Sequence, residues 1–393
     1  MVNSWKMKVY MLTLISFLVG TSQYVPVGIL DKVAASVGVS VSAAGQLVTI
    51  FALANALGTP IVMLATAKID RRKLLMIALA IIVIGSALTL ALPGFGFLMV
   101  SRVVLAIGTG VFLVTAFSFA SKLAPPGHQA GAIATVTTGF STALILGVPI
   151  GRVIASAFDW KAIFWGIGVL CLLAIFAVAR TIPATQGDAP VPLSKQLALL
   201  KNPKIAIALS VTFFLFIGYA VFYTYITPFL NAVSPMSEQA VSITLFGFGI
   251  ATMIGSKLGG FMADRVGITR TLVGGMSINA VVLLLLSTIA GPSVITLPLL
   301  MLWAIASWTS GPTLQYNLVS LAPEASGIML SLNSSFLQLG MAAGAGIGGL
   351  ATGGLSIQST SWIGAAAVLI AIITLLVSVG SSRSTVQIQK GQS

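Results

Sequence analysis

The residues of this chain that could do chemistry are a few polar side chains inside long apolar segments. Arg102 is the most telling of them, because an arginine at the centre of a membrane helix costs ~2.5–3.5 kcal/mol on insertion scales. Such an arginine takes part in function, or bonds backbone carbonyls of the first and fifth membrane helices and so holds this half of the protein together, and the two roles can coexist. Gln23, Tyr24 and Asn55 are polar groups in comparable positions. We expect these four residues to contact a small solute within the membrane.

A second group of residues is aromatic and polar and lies in the C-terminal part of the chain. Tyr219, Phe222 and Tyr223 are spaced so that they share one face of a helix. Helical spacing also relates residues within two later segments: Trp308, Gln315, Ser334 and Gln338. Stacking rings and hydrogen-bonding amides suit the recognition of a flat heteroaromatic molecule. The alternative is that the rings fill gaps between helices and the polar groups bond one helix to another.

The segments that carry these residues are too apolar for a soluble protein. Charged residues make up 7% of the 393 positions and hydrophobic residues 57%, whereas a soluble domain has roughly 25% charged residues. A membrane helix needs about 20 apolar residues. The sequence therefore predicts an all-α membrane protein with twelve transmembrane helices. The apolar runs lie near residues 9–30, 43–65, 74–92, 96–120, 131–155, 162–180, 205–230, 239–262, 271–290, 294–319, 327–350 and 361–380.

The twelve runs form two sets of six around a polar linker, residues 181–204, which separates residues 1–180 from residues 205–393. Fifteen of the twenty lysine and arginine residues fall in segments on one side of the predicted membrane, and two fall on the other. Since positive residues stay in the cytoplasm, we expect both termini there, in the inner membrane of a bacterium. Arg152 and Lys257 lie nearer the ends of their runs, and we expect their side chains to extend to the membrane surface.

Several other classes of function lack the residues that they need. The net charge of +13 lies in alternate loops, which argues against binding nucleic acid. One histidine, His128, and one cysteine, Cys171, offer neither a metal cluster nor an internal disulfide. The glycines at 344, 346 and 349 lie in an apolar run with no preceding strand, so they indicate helix packing and not a nucleotide site. We expect no enzymatic activity, no cofactor and no metal.

Loop and glycine motifs are spaced as in a known family of transporters. Residues 259–270 read GGFMADRVGITR, which is similar to the G-x-x-x-D-R-x-G-x-x-R signature of the major facilitator superfamily, in its twelve-span drug:proton antiporter branch. A related basic loop follows the second run, and the fifth run carries a pattern similar to the G-x-P-x-G of exporters. The resemblance implies roles in conformational change for ten residues: Asp70, Arg71, Arg72, Gly147, Pro149, Gly151, Gly260, Asp264, Arg265 and Gly267.

A closer resemblance is to bacterial purine base and nucleoside efflux permeases. It rests on residues 44–47, 66–69, 218–230, 303–323 and 333–338. It implies a monomer in the lipid bilayer that exports a purine, a nucleoside or an analogue against an inward flow of protons. Related members export drugs or sugars on almost the same frame, so a drug or sugar exporter is the alternative.

Proton coupling needs a group whose charge can change within the membrane. Close relatives in this branch carry a glutamate in the first span where this chain has Gln23, and all seven acidic residues lie at span ends or in loops. Asp31, at the outer end of the first span, is the acidic candidate for coupling, and Arg102 is the second candidate. The alternatives are that Asp31 is a solvated residue beside Lys32 and that the carrier is not coupled to protons.

Overall fold

The computed structural model describes residues 2–91, 94–125, 128–184, 198–322 and 325–390. Most of the predicted linker, together with Asp188 and Glu324, lies outside the described residues. Every regular element of the described ranges is a helix. The α-helices are α1 (Val2–Gly28), α2 (Leu30–Val37), α3 (Val41–Ala65), α4 (Arg71–Ala91), α5 (Phe95–Leu123), α6 (Gln129–Thr142), α7 (Val148–Ala157), α8 (Lys161–Thr181), α9 (Pro203–Tyr223), α10 (Ile226–Val233), α11 (Glu238–Val266), α12 (Ile268–Thr288), α13 (Ser293–Leu321), α14 (Ser326–Gly354) and α15 (Ser359–Lys390).

The hydropathy of the chain explains these helices, because a backbone in lipid must satisfy its hydrogen bonds internally. Among the described residues, eleven helical segments are long and apolar enough to cross a membrane, and they coincide with eleven of the predicted runs. The remaining run, near 327–350, forms α14, a helix of 29 residues whose many glycine and serine residues lower its hydropathy. The prediction of an all-α membrane protein is confirmed.

The seventh predicted span, 205–230, is too long at its C-terminal end. Helix α9 ends at Tyr223, and the separate short helix α10 begins at Ile226. Pro228 explains the break, because it has no N–H to donate to the carbonyl of Thr224 one turn earlier. Tyr225, between the two helices, has φ −107° and ψ 19°. Hydropathy alone does not detect this interruption.

The helices form two compact units. The first unit consists of Met1–Pro190 and Tyr225–Gly249, and the second of Val191–Thr224 and Ile250–Ser393. In the first unit, α1 packs on α6, α4 packs on α5 and α8, and α3 packs on α5. In the second unit, α9 packs on α14 and α15, and α12 packs on α13 and α15.

Candidate functional site

Arg102 is buried in the first unit and bonds the backbone of α1. Its Nη1 donates to the carbonyl of Ser22 at 2.9 Å and its Nη2 to the carbonyl of Gln23 at 3.3 Å. Pro26 lies one turn beyond Ser22 inside the same helix, and a proline has no N–H for the carbonyl four residues earlier. The arginine therefore supplies the hydrogen bond that Ser22 would otherwise lack. Its guanidinium also lies 4.5 Å from the ring centre of Phe51 on α3.

The three polar residues predicted beside Arg102 are placed differently from one another. The side chains of Gln23 and Tyr24 are half-buried, and the ring of Tyr24 lies 5.5 Å from that of Phe140 on α6. Asn55 donates from Nδ2 to the carbonyl of Ala106 on α5 at 3.1 Å. Asn55 thus joins α3 to α5.

The glycine motif of α7 permits close contact with α1. A Cβ at Gly147 would meet the hydroxyl of Thr21, and a Cβ at Gly151 would lie 2.9 Å from Cγ2 of Val25. Between α6 and α7 the backbone forms a five-residue π-helix, Ala143–Gly147. Pro149 accounts for the irregular turn, because it cannot donate to the carbonyl four residues before it. Irregular turns of this kind are frequent at functional sites.

Arg152 does not extend to the membrane surface as the sequence predicted. Its side chain is 0% exposed and forms a two-pronged ion pair with Asp31, both N–O distances being 3.0 Å. Its Nη1 also donates to the carbonyl of Gly28 at 2.7 Å, and its Nη2 lies 3.1 Å from Oε2 of Glu238. The prediction was wrong because these acceptors, from distant parts of the sequence, make burial of the arginine possible. Lys257 is exposed.

Asp31 is also not the solvated neighbour of Lys32 that one reading of the sequence proposed. Its carboxylate forms an ion pair with Arg152, and its Oδ2 accepts a hydrogen bond from the side-chain amide of Asn231 at 3.0 Å. Lys32 pairs instead with Oε1 of Glu238 at 3.2 Å. The proposed acidic candidate for proton coupling therefore lies within a charged network.

The basic loop of the first unit is tied to its neighbouring helices. Oδ1 of Asp70 accepts a hydrogen bond from the backbone N–H of Lys73 at 3.0 Å, which caps the start of α4. Arg71 is buried, and Arg72 donates to the carbonyl of Ala179 on α8.

The corresponding loop of the second unit is more exposed. Asp264, Arg265 and Gly267 are exposed, and the guanidinium of Arg265 lies 4.5 Å from the ring centre of Phe261. Gly267 has φ +94°, a conformation that favours glycine. Gly260 faces open space, so its position does not require a glycine for packing.

The aromatic residues predicted on α9 form a cluster with two tryptophans of α13. Tyr219 stacks on Tyr223 with ring centres 4.8 Å apart and on Trp303 at 5.4 Å. Phe222 meets Trp303 edge-on at 4.8 Å, and Trp308 meets Tyr219 edge-on at 6.2 Å. Nε1 of Trp308 is buried and has no hydrogen-bond partner among the described residues. The structure therefore brings four of the predicted residues into one aromatic cluster.

Sequence reasoning missed two members of this site, Trp303 and Asn279. Nε1 of Trp303 donates to Oδ1 of Asn279 on α12 at 3.0 Å, and Nδ2 of Asn279 donates to the hydroxyl of Ser307 at 3.0 Å. All three residues are buried. Asn279 could have been noticed as a polar residue in the middle of an apolar run, which is the signal that selected Asn55.

The remaining polar candidates of the second unit take no part in the hydrogen bonds between Trp303, Asn279 and Ser307. Gln315 and Ser334 are exposed, and Gln338 is buried. Close packing of α14 on α9 agrees with the glycine spacing of α14, since a Cβ at Gly344 would lie 2.5 Å from the carbonyl oxygen of Ile217.

Two solved structures share the fold of this chain. A bacterial homolog of the human lysosomal transporter Spinster, in an inward-facing and occupied conformation, has a TM-score of 0.77 and 16% identity, covering 95% of this chain and 97% of that one. The inward-facing and unoccupied conformation has a TM-score of 0.71 and 18% identity, covering 95% of each chain. At these identities the likeness shows the fold.

Sequence comparison gives the family. The chain is 48% identical over 376 residues to an uncharacterized MFS-type transporter, YbcL, of Bacillus subtilis (strain 168), and the match covers 96% of each chain. The model of the Major Facilitator Superfamily matches residues 12–330 and 235–392. This multi-pass membrane protein is a transporter, and it belongs to the Major Facilitator Superfamily.

Proposed function

We propose that the protein exports a small heteroaromatic solute, a purine base, a nucleoside or an analogue, by alternating access. The observation that carries this proposal is the aromatic cluster of the second unit. There Tyr223, Tyr219 and Trp303 stack in succession, and Trp308 stands edge-on to Tyr219. A flat ring can stack on such rings, and stacked or edge-on aromatic pairs contribute about 0.5–1.5 kcal/mol beyond their area burial.

The indole N–H of Trp308 supplies a hydrogen-bond donor to this proposed site. It is buried without a partner among the described residues, and a buried donor without an acceptor is costly. A ring nitrogen or a carbonyl oxygen of a purine could accept a hydrogen bond from this N–H. The Trp303 N–H is already taken by Asn279, so Trp308 is the tryptophan of this cluster that we assign to the solute. The other proposed solute contacts are Gln23, Tyr24, Asn55, Arg102, Phe222, Gln315, Ser334 and Gln338.

We further propose that export is coupled to an inward flow of protons, with Asp31 and Arg102 as the residues to test. A second candidate function, a carrier not coupled to protons, is favoured by Gln23, which is an uncharged amide at the position where the family resemblance implies a glutamate. A drug or sugar exporter remains the alternative for the solute.

The orientation and assembly form part of the same proposal. The excess of lysine and arginine in alternate loops supports cytoplasmic termini in a bacterial inner membrane. We propose that the transporter works as a monomer made of two six-helix halves, residues 1–180 and 205–393, and that the ten motif residues act in its conformational change.

Efflux from reconstituted vesicles tests the solute and the coupling together. Vesicles are preloaded with radiolabelled hypoxanthine, adenosine or inosine, with and without an imposed pH gradient. We expect efflux of at least one solute, accelerated by the gradient, and loss of that acceleration in Asp31→Asn. Efflux that ignores the gradient in the wild type would establish the uncoupled carrier. Absence of efflux for all three solutes would refute the purine proposal.

A conservative pair of variants tests the aromatic cluster. Trp308→Phe keeps a ring but removes the N–H, and Trp362→Phe makes the same change at a residue 47% exposed on α15. Loss of one neutral hydrogen bond corresponds to about 1 kcal/mol, or roughly fivefold weaker binding of the solute. We expect this rise in the half-saturating concentration for Trp308→Phe alone. Equal behaviour of the two variants would remove Trp308 from the site.

A further inference from the structure

A second buried cationic centre lies in the first unit, apart from the residues proposed to bind the solute. The Arg152 side chain is 0% exposed and has three acceptors: the Gly28 carbonyl at 2.7 Å, the Asp31 carboxylate at 3.0 Å and the Glu238 carboxylate at 3.1 Å. These acceptors come from the end of α1, from α2 and from the first turn of α11. One guanidinium thus joins three elements to α7.

The network continues beyond Arg152 through Glu238 and Asp31. Oε1 of Glu238 pairs with Lys32 at 3.2 Å, and its Oε2 accepts from the Ser156 hydroxyl at 3.1 Å. The amide of Asn231 on α10 donates to Asp31 at 3.0 Å. We call this set the polar latch, and its members are Asp31, Lys32, Arg152, Ser156, Asn231 and Glu238. Two positive and two negative charges balance within it.

The helix α10, which the polar latch joins to α2, is short and has irregular backbone at both ends, so it can move as a unit. Helix α10 has eight residues and is flanked by irregular backbone at Tyr225 and at Ser234, which has φ −141° and ψ 75°. Thr227 of α10 donates to the carbonyl of Val27 at 3.1 Å, so the contact of α10 with α1 is also polar. The Glu238 side chain is 49% exposed, and water can take over its hydrogen bonds when the contact opens.

Stability alone does not explain a charge network at this place. A buried ion pair is often no more stable than apolar side chains of similar size, and such pairs are best attested where they select one arrangement over another. In the polar latch, removing one partner would leave the buried Arg152 with fewer acceptors, and an incompletely paired buried charge is strongly unfavourable. This is the behaviour expected of a contact that selects one of two arrangements.

We infer that Arg152, Asp31 and Glu238 are positioning residues of transport, whose polar latch sets the equilibrium between a joined and a parted arrangement of α10 and the start of α11 on α2 and α7. The inference rests on membership of a transporter family and not on the identity of the solute. Opening of this contact exposes Thr227, which is 0% exposed when the latch is closed.

Cysteine labelling measures the equilibrium without any solute. Cys171 is the only cysteine of the chain, so Cys171→Ser gives a background into which Thr227→Cys places a single reporter. The purified protein in detergent is treated with a charged maleimide, and the labelling rate is followed. Loss of one charge-assisted hydrogen bond shifts such an equilibrium by roughly tenfold or more. We expect Asp31→Asn and Glu238→Gln to label about tenfold faster than the reporter protein alone.

Matched variants separate a latch from a general loosening of the protein. Lys32→Gln removes only the partly exposed pair with Glu238 and should raise the rate by threefold or less. Asp159→Asn neutralises an exposed acid that bonds the backbone N–H of Lys161, and it should leave the rate unchanged. Equal rates for Glu238→Gln, Asp31→Asn and Asp159→Asn would overturn the inference. So would faster labelling in Asp159→Asn, since that variant leaves the polar latch intact.

Discussion

The contact between Arg102 and α1 makes a quantitative prediction about two residues that do not bond each other. Pro26 leaves the carbonyl of Ser22 without its helical N–H donor, and Nη1 of Arg102 supplies a replacement at 2.9 Å. Arg102→Met removes that donor but keeps apolar bulk. Pro26→Ala restores the N–H to the helix. We therefore expect Arg102→Met to be less damaging when residue 26 is alanine.

The expected coupling can be estimated from the hydrogen bond alone. An unpaired buried carbonyl costs about 1–3 kcal/mol in a soluble protein, while hydrogen bonds between membrane helices average about 0.6 and reach about 1.7 kcal/mol. Other effects of Arg102→Met are the lost bond to Gln23, the lost contact with Phe51 and the relief of burying a charge. These effects are common to both backgrounds, so they cancel in a double-mutant cycle. The coupling should therefore be about 0.6–1.7 kcal/mol.

Reversible unfolding of the purified proteins in mixed detergent micelles gives the four free energies of unfolding. Pro312→Ala is the control background, because this proline also lies inside a helix, α13, but in the second unit. There Arg102→Met should have the same effect as in the wild type. Coupling below about 0.3 kcal/mol between positions 26 and 102, which is within ordinary additivity, would refute the account of Arg102 as the donor that Pro26 makes necessary.

Two further predictions concern packing. Gly139→Ala should lower the free energy of unfolding by about 1–3 kcal/mol, because the added Cβ would collide with the backbone oxygen of Thr13. Gly166→Ala is the control and should be neutral, because a Cβ there would face open space. Equal melting temperatures for the two variants would contradict this prediction. Asn279→Ala should cost about 0.6–1.7 kcal/mol by removing the acceptor of the Trp303 N–H. Its cost should shrink in a Trp303→Phe background, and an unchanged cost there would show that the bond contributes nothing.

The helices were predictable from sequence because each membrane-spanning helix satisfies its own backbone. Hydropathy reports burial in lipid, but it does not show where a backbone N–H donor is missing. The predicted end of α9 was therefore wrong, although Pro228 is present in the sequence. The same kind of reasoning, applied to Pro26, explains why Ser22 needs a donor from outside its helix. The sequence hypothesis that Arg102 bonds carbonyls of the first span agrees with this contact. It could not single out the carbonyl of Ser22, because that requires the register of α5 against α1.

The aromatic site shows a similar division between local and distant information. Helical spacing was sufficient to place Tyr219 and Tyr223 on one face, and the two rings stack at 4.8 Å. Their contact with Trp303 depends on how α9 and α13 pack, which spacing within either helix does not determine. Whether this cluster binds a solute stays a prediction.

Arg152 shows how much further sequence reasoning about charge could have gone. Its position near the end of a span suggested that water was within reach, but a charged group near a membrane surface can equally well be met by opposite charge. The predicted topology puts Asp31, Asp159 and Glu238 at the same side of the membrane as Arg152, so a short set of partners was available. Choosing among them needs the structure, because Asp159 bonds the nearby backbone of Lys161, while Asp31 lies 121 residues from Arg152 in sequence. For a charged residue near the end of a membrane span, opposite charges that the topology places on the same side of the membrane are therefore to be considered as partners before water is.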